Sequence, residues 1–255
     1  MDADEEQEEE TPMENYDPAE SFNERVAENY DKHVRGDEDA AVAFLERLAN
    51  GGPALELAIG TGRIAIALAA RGIRVEGIDI SAAMINKLRS KPGGDNISAN
   101  VGDCADVAVA RRYRLIYIVF NSLFNLMTQE NQVRCFQNAA AHLDDGGAFV
   151  VEGNLPTEFC QLRNNQYVDL EDIAVGEIGL DVARYDPVTQ ILEESHVTVS
   201  GQGVRFKPLV TRYIWPGEMD LMARLAGLSL KERWANWHRD PIKVSSTNCI
   251  SVYGQ

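Results

Sequence analysis

Residues 54–81, ALELAIGTGRIAIALAARGIRVEGIDIS, set a glycine turn between two short apolar runs, and the second run ends on an acid. A strand, a turn needing glycine, a helix and a second strand make a βαβ unit, whose crossover lays the two strands side by side and parallel. The glycines let the backbone come close to a nucleotide.

The rest of the chain extends the same alternation. DEDAAVAFLERLA brings Val42, Phe44, Leu45 and Leu48 to one helical face before Gly51-Gly52-Pro53. Ser81 caps a helix carrying Met84 and Leu88, KPGGD breaks it, and ISANV is a third strand. RLIYIVF is the nearly continuous apolar run expected of a strand buried on both faces. Thr128 caps a helix with Val133, Phe136, Ala140 and Leu143 at helical spacing, and DDGG turns into the strand AFVVE. These elements predict an α/β, doubly wound, Rossmann-like sheet. Residues 167–215 instead alternate around Asp186-Pro187 and Gly201-Gln202-Gly203, which predicts an antiparallel β insertion. GEMDLMARLAG, LSLKERW and TNCISVY then return to helix, strand and strand.

The chain has 255 residues, 45% of them apolar, enough for one cored domain with an elaboration. Of its net charge of −16, residues 1–20 supply ten acids and no base, so the excess sits in an expected disordered tail. Residues 21–255 are read as a single domain, with a cofactor-binding core at 22–160, a lid at 161–215 and a C-terminal completion at 216–255. Acidity argues against a nucleic-acid partner. Cys104, Cys135, Cys160 and Cys249 form no C-x-x-C pair, so neither a disulfide framework nor a metal site is expected. Without a signal sequence or a membrane-length apolar run, the chain reads as cytoplasmic, with no membrane partner.

Gly60-Thr61-Gly62-Arg63-Ile64-Ala65 matches a dinucleotide fingerprint, and Asp79 stands near the distance for gripping a ribose. Two further acids point to a different nucleotide. Glu56, four residues before Gly60, would repel a pyrophosphate but attract the ammonium and sulfonium of S-adenosylmethionine. Asp103, just past the third strand, can accept from an adenine amino group. The alternatives for these acids are structural: Glu56 paired with Arg63 or Arg74, and Asp79 capping the helix that follows Ser81.

With those residues in place, the chain resembles the class I S-adenosylmethionine-dependent methyltransferases. The resemblance rests on ELAIGTGR, GIDIS, VGDCAD, RLIYIVFNSLFNL and LDDGGAFVVE, covers residues 25–155, and implies a mainly parallel sheet with a reversed last strand. Position by position it implies Glu56, Ala58, Gly60 and Gly62 along the methionine portion, Asp79 and Ile80 at the ribose, Asp103 and Cys104 at the adenine, and Phe120 beside the cofactor. Ala58 departs from the family's first glycine, and binding is expected to survive. The insertion resembles that of sugar N,N-dimethyltransferases and glycine N-methyltransferase, small-molecule enzymes, and a homodimer is left open.

Methyl transfer from a sulfonium is an in-line displacement, in which alignment contributes about 7–11 kcal/mol and a general base less. Candidates for the acceptor side are Tyr30 in the segment folding over the cofactor, Glu152 at the end of the fifth strand, and His196 on an inserted strand. Tyr167, Tyr185, Phe206, Tyr213 and Trp215 either line an acceptor pocket or form a second core. The expected function is methyl transfer to N, O or aromatic C of a small metabolite in secondary-metabolite biosynthesis. An NAD(P)-dependent oxidoreductase and a non-catalytic S-adenosylmethionine-binding protein are the alternatives.

Overall fold

A computed structural model describes residues 16–255 except 33, 108, 110 and 158. Helices α1 (Pro18–Ser21), α2 (Glu24–Asn29) and α3 (Glu38–Ala49) lead into β1 (Ala54–Leu57), α4 (Arg63–Ala70), β2 (Val75–Asp79), α5 (Ala82–Arg89) and β3 (Ser98–Val101). Then follow β4 (Tyr113–Ile118), α6 (Gln129–His142), β5 (Leu143–Asn154), the strands β6 (Gln166–Ala174), β7 (Glu177–Asp186), β8 (Ile191–Ser200) and β9 (Gly203–Arg212), and finally α7 (Pro216–Leu225), β10 (Ser229–Trp234) and β11 (Asn248–Gly254). Two side-chain caps fall where expected: Ser81 Oγ accepts from Met84 N–H at 3.2 Å, and Thr128 Oγ1 from Asn131 N–H at 3.1 Å.

The strands form one seven-stranded sheet in the order β10-β11-β5-β4-β1-β2-β3. Strands β3, β2, β1, β4 and β5 are parallel, and β11 runs antiparallel to both β5 and β10, which makes it the reversed strand. On one face α3, α4 and α5 bury Phe44, Leu45, Ile64, Leu68 and Leu88 against Leu115 and Tyr117. On the other, Phe136, Met219 and Met222 of α6 and α7 pack against Ile116, Ile118 and Phe149. Helices on both faces are why β4 reads as an unbroken apolar run. The Asp144–Gly147 turn lies instead within β5, where the pairing with β4 shifts register and Gly146 takes φ +69°.

Strands β6–β9 form a separate antiparallel sheet in chain order. Its root joins the second core through Ala183, Tyr185, Leu192 and Tyr213. Of the expected acidic tail, residues 1–15 lie outside the described residues. Its last part is corrected: Asp17 caps α1 through Ala19 N–H at 2.9 Å, and the buried Ser21 donates to the Pro208 carbonyl of β9 at 2.9 Å. A count of acids registers the charge but not this cap and proline start. Among the described residues no helix is long and apolar enough to cross a membrane.

Candidate active site

Glu56, the third residue of β1, is buried and accepts a hydrogen bond from the Tyr117 hydroxyl of β4 at 2.9 Å. Burial pushes its ionisation up to about 8, against the pull of Tyr117, and Asp79 adds to the rise. Neither proposed arginine partner reaches it: Arg63 bonds Glu38, and Arg74 bonds Glu76. At the end of β2, Asp79 Oδ2 accepts from Gly60 N–H at 2.7 Å and Oδ1 from Ser81 N–H at 2.8 Å. It therefore does brace the start of the next helix, yet each oxygen retains a lone pair. Burial raises its pKa, and the Ser81 and Gly60 amides oppose the rise.

The turn holding Gly60 needs its glycines. Gly60 has φ +55° and Gly62 φ +73°, and a Cβ on Gly62 would meet Leu88 at 2.8 Å. Ala58 sits in the same left-handed region at φ +57°. That conformation costs an alanine roughly 1–2 kcal/mol, so Ala58→Gly is expected to stabilise the fold by about 1 kcal/mol and raise Tm by about 2–4 °C in a thermal melt.

Beyond β2 and β3 the adenine-side residues separate. Ile80 is 44% exposed at the strand end, and Asp103 is exposed with Oδ1 accepting from Ala105 N–H at 2.8 Å. The Cys104 side chain turns the other way, packing on the core beside the buried Cys135, whose thiol it pushes up. That leaves the Cys104 backbone, not its thiol, for a ligand in the crevice.

The N-terminal segment crosses over the glycine turn. Ser81 Oγ donates to the Phe22 carbonyl at 2.6 Å, Thr61 to Asp31 at 2.7 Å, and Lys91 to Asp31 at 2.9 Å. Arg63 donates to the Tyr30 carbonyl at 2.9 Å and stacks over the Tyr30 ring at 5.2 Å. Burial pushes the Tyr30 phenol up, partly offset by Arg63.

Glu152 lies inside this framework and lines neither large cavity described below. Its Oε1 accepts from Arg35 at 2.7 Å and Asn248 at 3.0 Å, and its Oε2 from Phe120 N–H at 2.9 Å. The carboxylate thus ties the N-terminal segment and β11 to the loop after β4, where Phe120 and Asn121 hold φ +57° and +63° and Arg35 covers the Phe120 ring at 4.5 Å. Glu152→Gln would turn an amide N–H toward one of these three donors, at a cost of about 2 kcal/mol. A Tm lower by about 4–8 °C is the expected readout.

Two cavities meet at Tyr30, Phe120 and Lys207. The inner, about 540 Å³, opens at the ends of β4 and β5 beside Asn121 and Asn154 and is roofed by Tyr167, Glu194, Leu209 and Tyr213 of the insertion. The outer, about 750 Å³, is lined by Arg35, Arg63, His196 and Arg205 among others. Alternation does aim His196 to the inner face of the sheet, where its Nδ1 contacts Asp181 and lies 3.6 Å from Glu171. These three residues bring one ligand atom each within 4.8 Å of one another, a spacing suited to a cation, although Glu171 is exposed. Of the aromatic candidates, Tyr167 and Tyr213 line the inner cavity and Phe206 the outer, whereas Tyr185 is buried and stacks on Phe159 at 4.9 Å. Trp215 precedes α7 as its N-cap.

A family model described as a methyltransferase domain matches residues 54–147. The chain is 30% identical over 210 residues to a cypemycin N-terminal methyltransferase of a Streptomyces species, covering 80% of this chain and 83% of the relative. The chain belongs to the S-adenosylmethionine-dependent methyltransferases. The CcbJ methyltransferase from Streptomyces caelestis superposes on this methyltransferase with a TM-score of 0.86 at 33% identity, over 93% of this chain and 98% of that one. S-adenosylmethionine-bound CalS10, an amino pentose methyltransferase from Micromonospora echinaspora, shares the fold with a TM-score of 0.64 at 19% identity, over 89% and 95% of the two chains. The oxidoreductase and non-catalytic alternatives fall with this membership.

The residues present in the methyltransferase fit its cofactor. A desolvated Glu56 beside the glycine turn gains from a nearby ammonium, and the remaining lone pairs of Asp79 suit two ribose hydroxyls. Sequence reasoning missed Arg35, Asp31 and Glu194. Only Glu194 left a trace, since it shares the parity of His196 along β8.

Proposed function

We propose that this methyltransferase transfers a methyl group to an amine nitrogen of a small natural-product intermediate, bound in the inner cavity, and that it works in the cytoplasm. What carries the reading is that cavity, placed at the carboxyl ends of β4 and β5 against Phe120, where ligands of doubly wound sheets bind. Nitrogen is favoured because the cypemycin relative is an N-terminal methyltransferase.

In this reading Glu56, Ala58, Gly60 and Gly62 hold the methionine portion, Asp79 and Ile80 the ribose, Asp103 and the Cys104 backbone the adenine, with Phe120 alongside. Held there, S-adenosylmethionine would supply an electrophilic methyl group for the acceptor's lone pair. Tyr30 and the N-terminal segment exclude water above it. Glu152 positions Phe120 and Arg35. Incubation with methyl-labelled S-adenosylmethionine and a library of amines, alcohols and phenols tests this. Label on amines is the expected result, and label confined to oxygen or carbon overturns it.

A further inference from the structure

Rows of cross-strand partners make up the inner face of the β6–β9 sheet. The row Tyr167, Ala183, Glu194, Leu209 lies one step nearer the core than the row holding Asp181, His196 and Lys207. Glu194 supplies the carboxylate of the inner-cavity lining. Tyr167 donates its hydroxyl to Glu194 Oε1 at 2.6 Å. Burial, and after it Glu194, pushes the Tyr167 phenol far up, so it stays a fixed donor. The other acceptor-side candidates are engaged elsewhere: Glu152 by three donors, Tyr30 as a buried neutral phenol, and His196 by Asp181 in the outer cavity.

We infer that Glu194, oriented by Tyr167, binds the acceptor's ammonium and takes its proton before methyl transfer. This rests on the amine reading above. An amine reaches the site largely protonated at neutral pH and then has no lone pair to give. Glu194 is the carboxylate that meets that cation under the lid, in a lining that also holds Lys207. One N–H proton passes to a carboxylate oxygen, the N–H electron pair becomes the nitrogen's lone pair, and Glu194 becomes a carboxylic acid. After transfer the acid returns its proton to water. Glu194 is thus a catalytic residue that touches the acceptor, and Tyr167 is a positioning residue.

The test takes the amine that the full-length wild type methylates best in the labelled library and measures kcat/KM against pH for wild type, Glu194→Gln, Glu194→Asp and Tyr167→Phe. Wild type should hold its kcat/KM near neutral pH, where the amine itself is largely protonated. Glu194→Gln should lose about 100-fold near neutral pH and recover as pH passes the amine's own pKa, where free base is abundant. Glu194→Asp, which keeps the charge, should fall between the two, and Tyr167→Phe should lose about 5-fold. Titration with S-adenosylmethionine should give unchanged affinity in all of them. Glu193→Gln alters the opposite face, where Glu193 pairs with Arg184, and should leave activity unchanged. If Glu194→Gln keeps kcat/KM within twofold, or loses it equally at every pH, Glu194 is not the proton acceptor while the amine reading stands. If wild type labels only alcohols or carbon, both fall together. Should Glu194→Gln fail to fold, the Glu194→Asp and Tyr167→Phe profiles decide in the same way.

Discussion

Asp79→Ala is expected to lower S-adenosylmethionine affinity by at least about 1,000-fold in calorimetric titration. The carboxylate stands at two junctions at once. Toward the protein it accepts from the amides of Gly60 and Ser81, which draws the glycine turn against the end of β2. In the proposed reading its remaining lone pairs, toward the crevice, take the two ribose hydroxyls. Hydrogen bonds to a charged group contribute about 1.5–3 kcal/mol each, so losing two of them, with the turn they shape, reaches three orders of magnitude. Asp79→Asn separates the roles: its one remaining carbonyl can serve one amide, so it should fold better than the alanine variant yet still bind poorly. Tight binding by Asp79→Ala would mean that the ribose lies elsewhere.

The second large effect concerns pH and Glu56. Its carboxyl ionises at about 8 in the folded protein against 4.5 for the free side chain. The folded state therefore holds this proton more tightly than the unfolded chain. The resulting stabilisation is complete below pH 4.5, declines as pH rises toward 8 and is gone above it. Over that window it amounts to about 3–5 kcal/mol, or roughly 10 °C in Tm. The cofactor-free wild type should lose stability relative to Glu56→Gln between pH 5 and pH 8, since glutamine has nothing to ionise. Cofactor binding should reverse the sign of the proton exchange: an ammonium beside the carboxyl favours its charged form, so binding near pH 7 releases a proton. Titrations in buffers of different ionisation enthalpy will detect that release in wild type and not in Glu56→Gln. Equal slopes for the two proteins would exclude an ammonium near Glu56.

The parts of this molecule that were legible from residues alone are those governed by local rules. β4 declares itself because both of its faces are covered, and Ser81 and Thr128 because a cap needs only its own next turn. The acids Glu56, Asp79 and Asp103 follow from strand ends and spacing. Glu152 shows the limit: its place at the end of β5 suggested a group facing the acceptor, but Arg35 and Asn248, from distant parts of the chain, claim the carboxylate. Glu194 shows another, since alternation along β8 gives the face of a side chain but not how far along the sheet a cavity begins. The turn at Gly176, φ +88°, is a two-residue link with one glycine inside it, a weaker signal than Asp186-Pro187 or Gly201-Gln202-Gly203.

The N-terminal segment is fastened at both ends, by Ser21 to the insertion and by Phe22 and Asp31 to the glycine turn and its neighbours. In the proposed reading both ligands lie beneath this stretch of chain before the first strand, so loading the acceptor and exchanging spent cofactor are expected to be coupled through one clasp of hydrogen bonds.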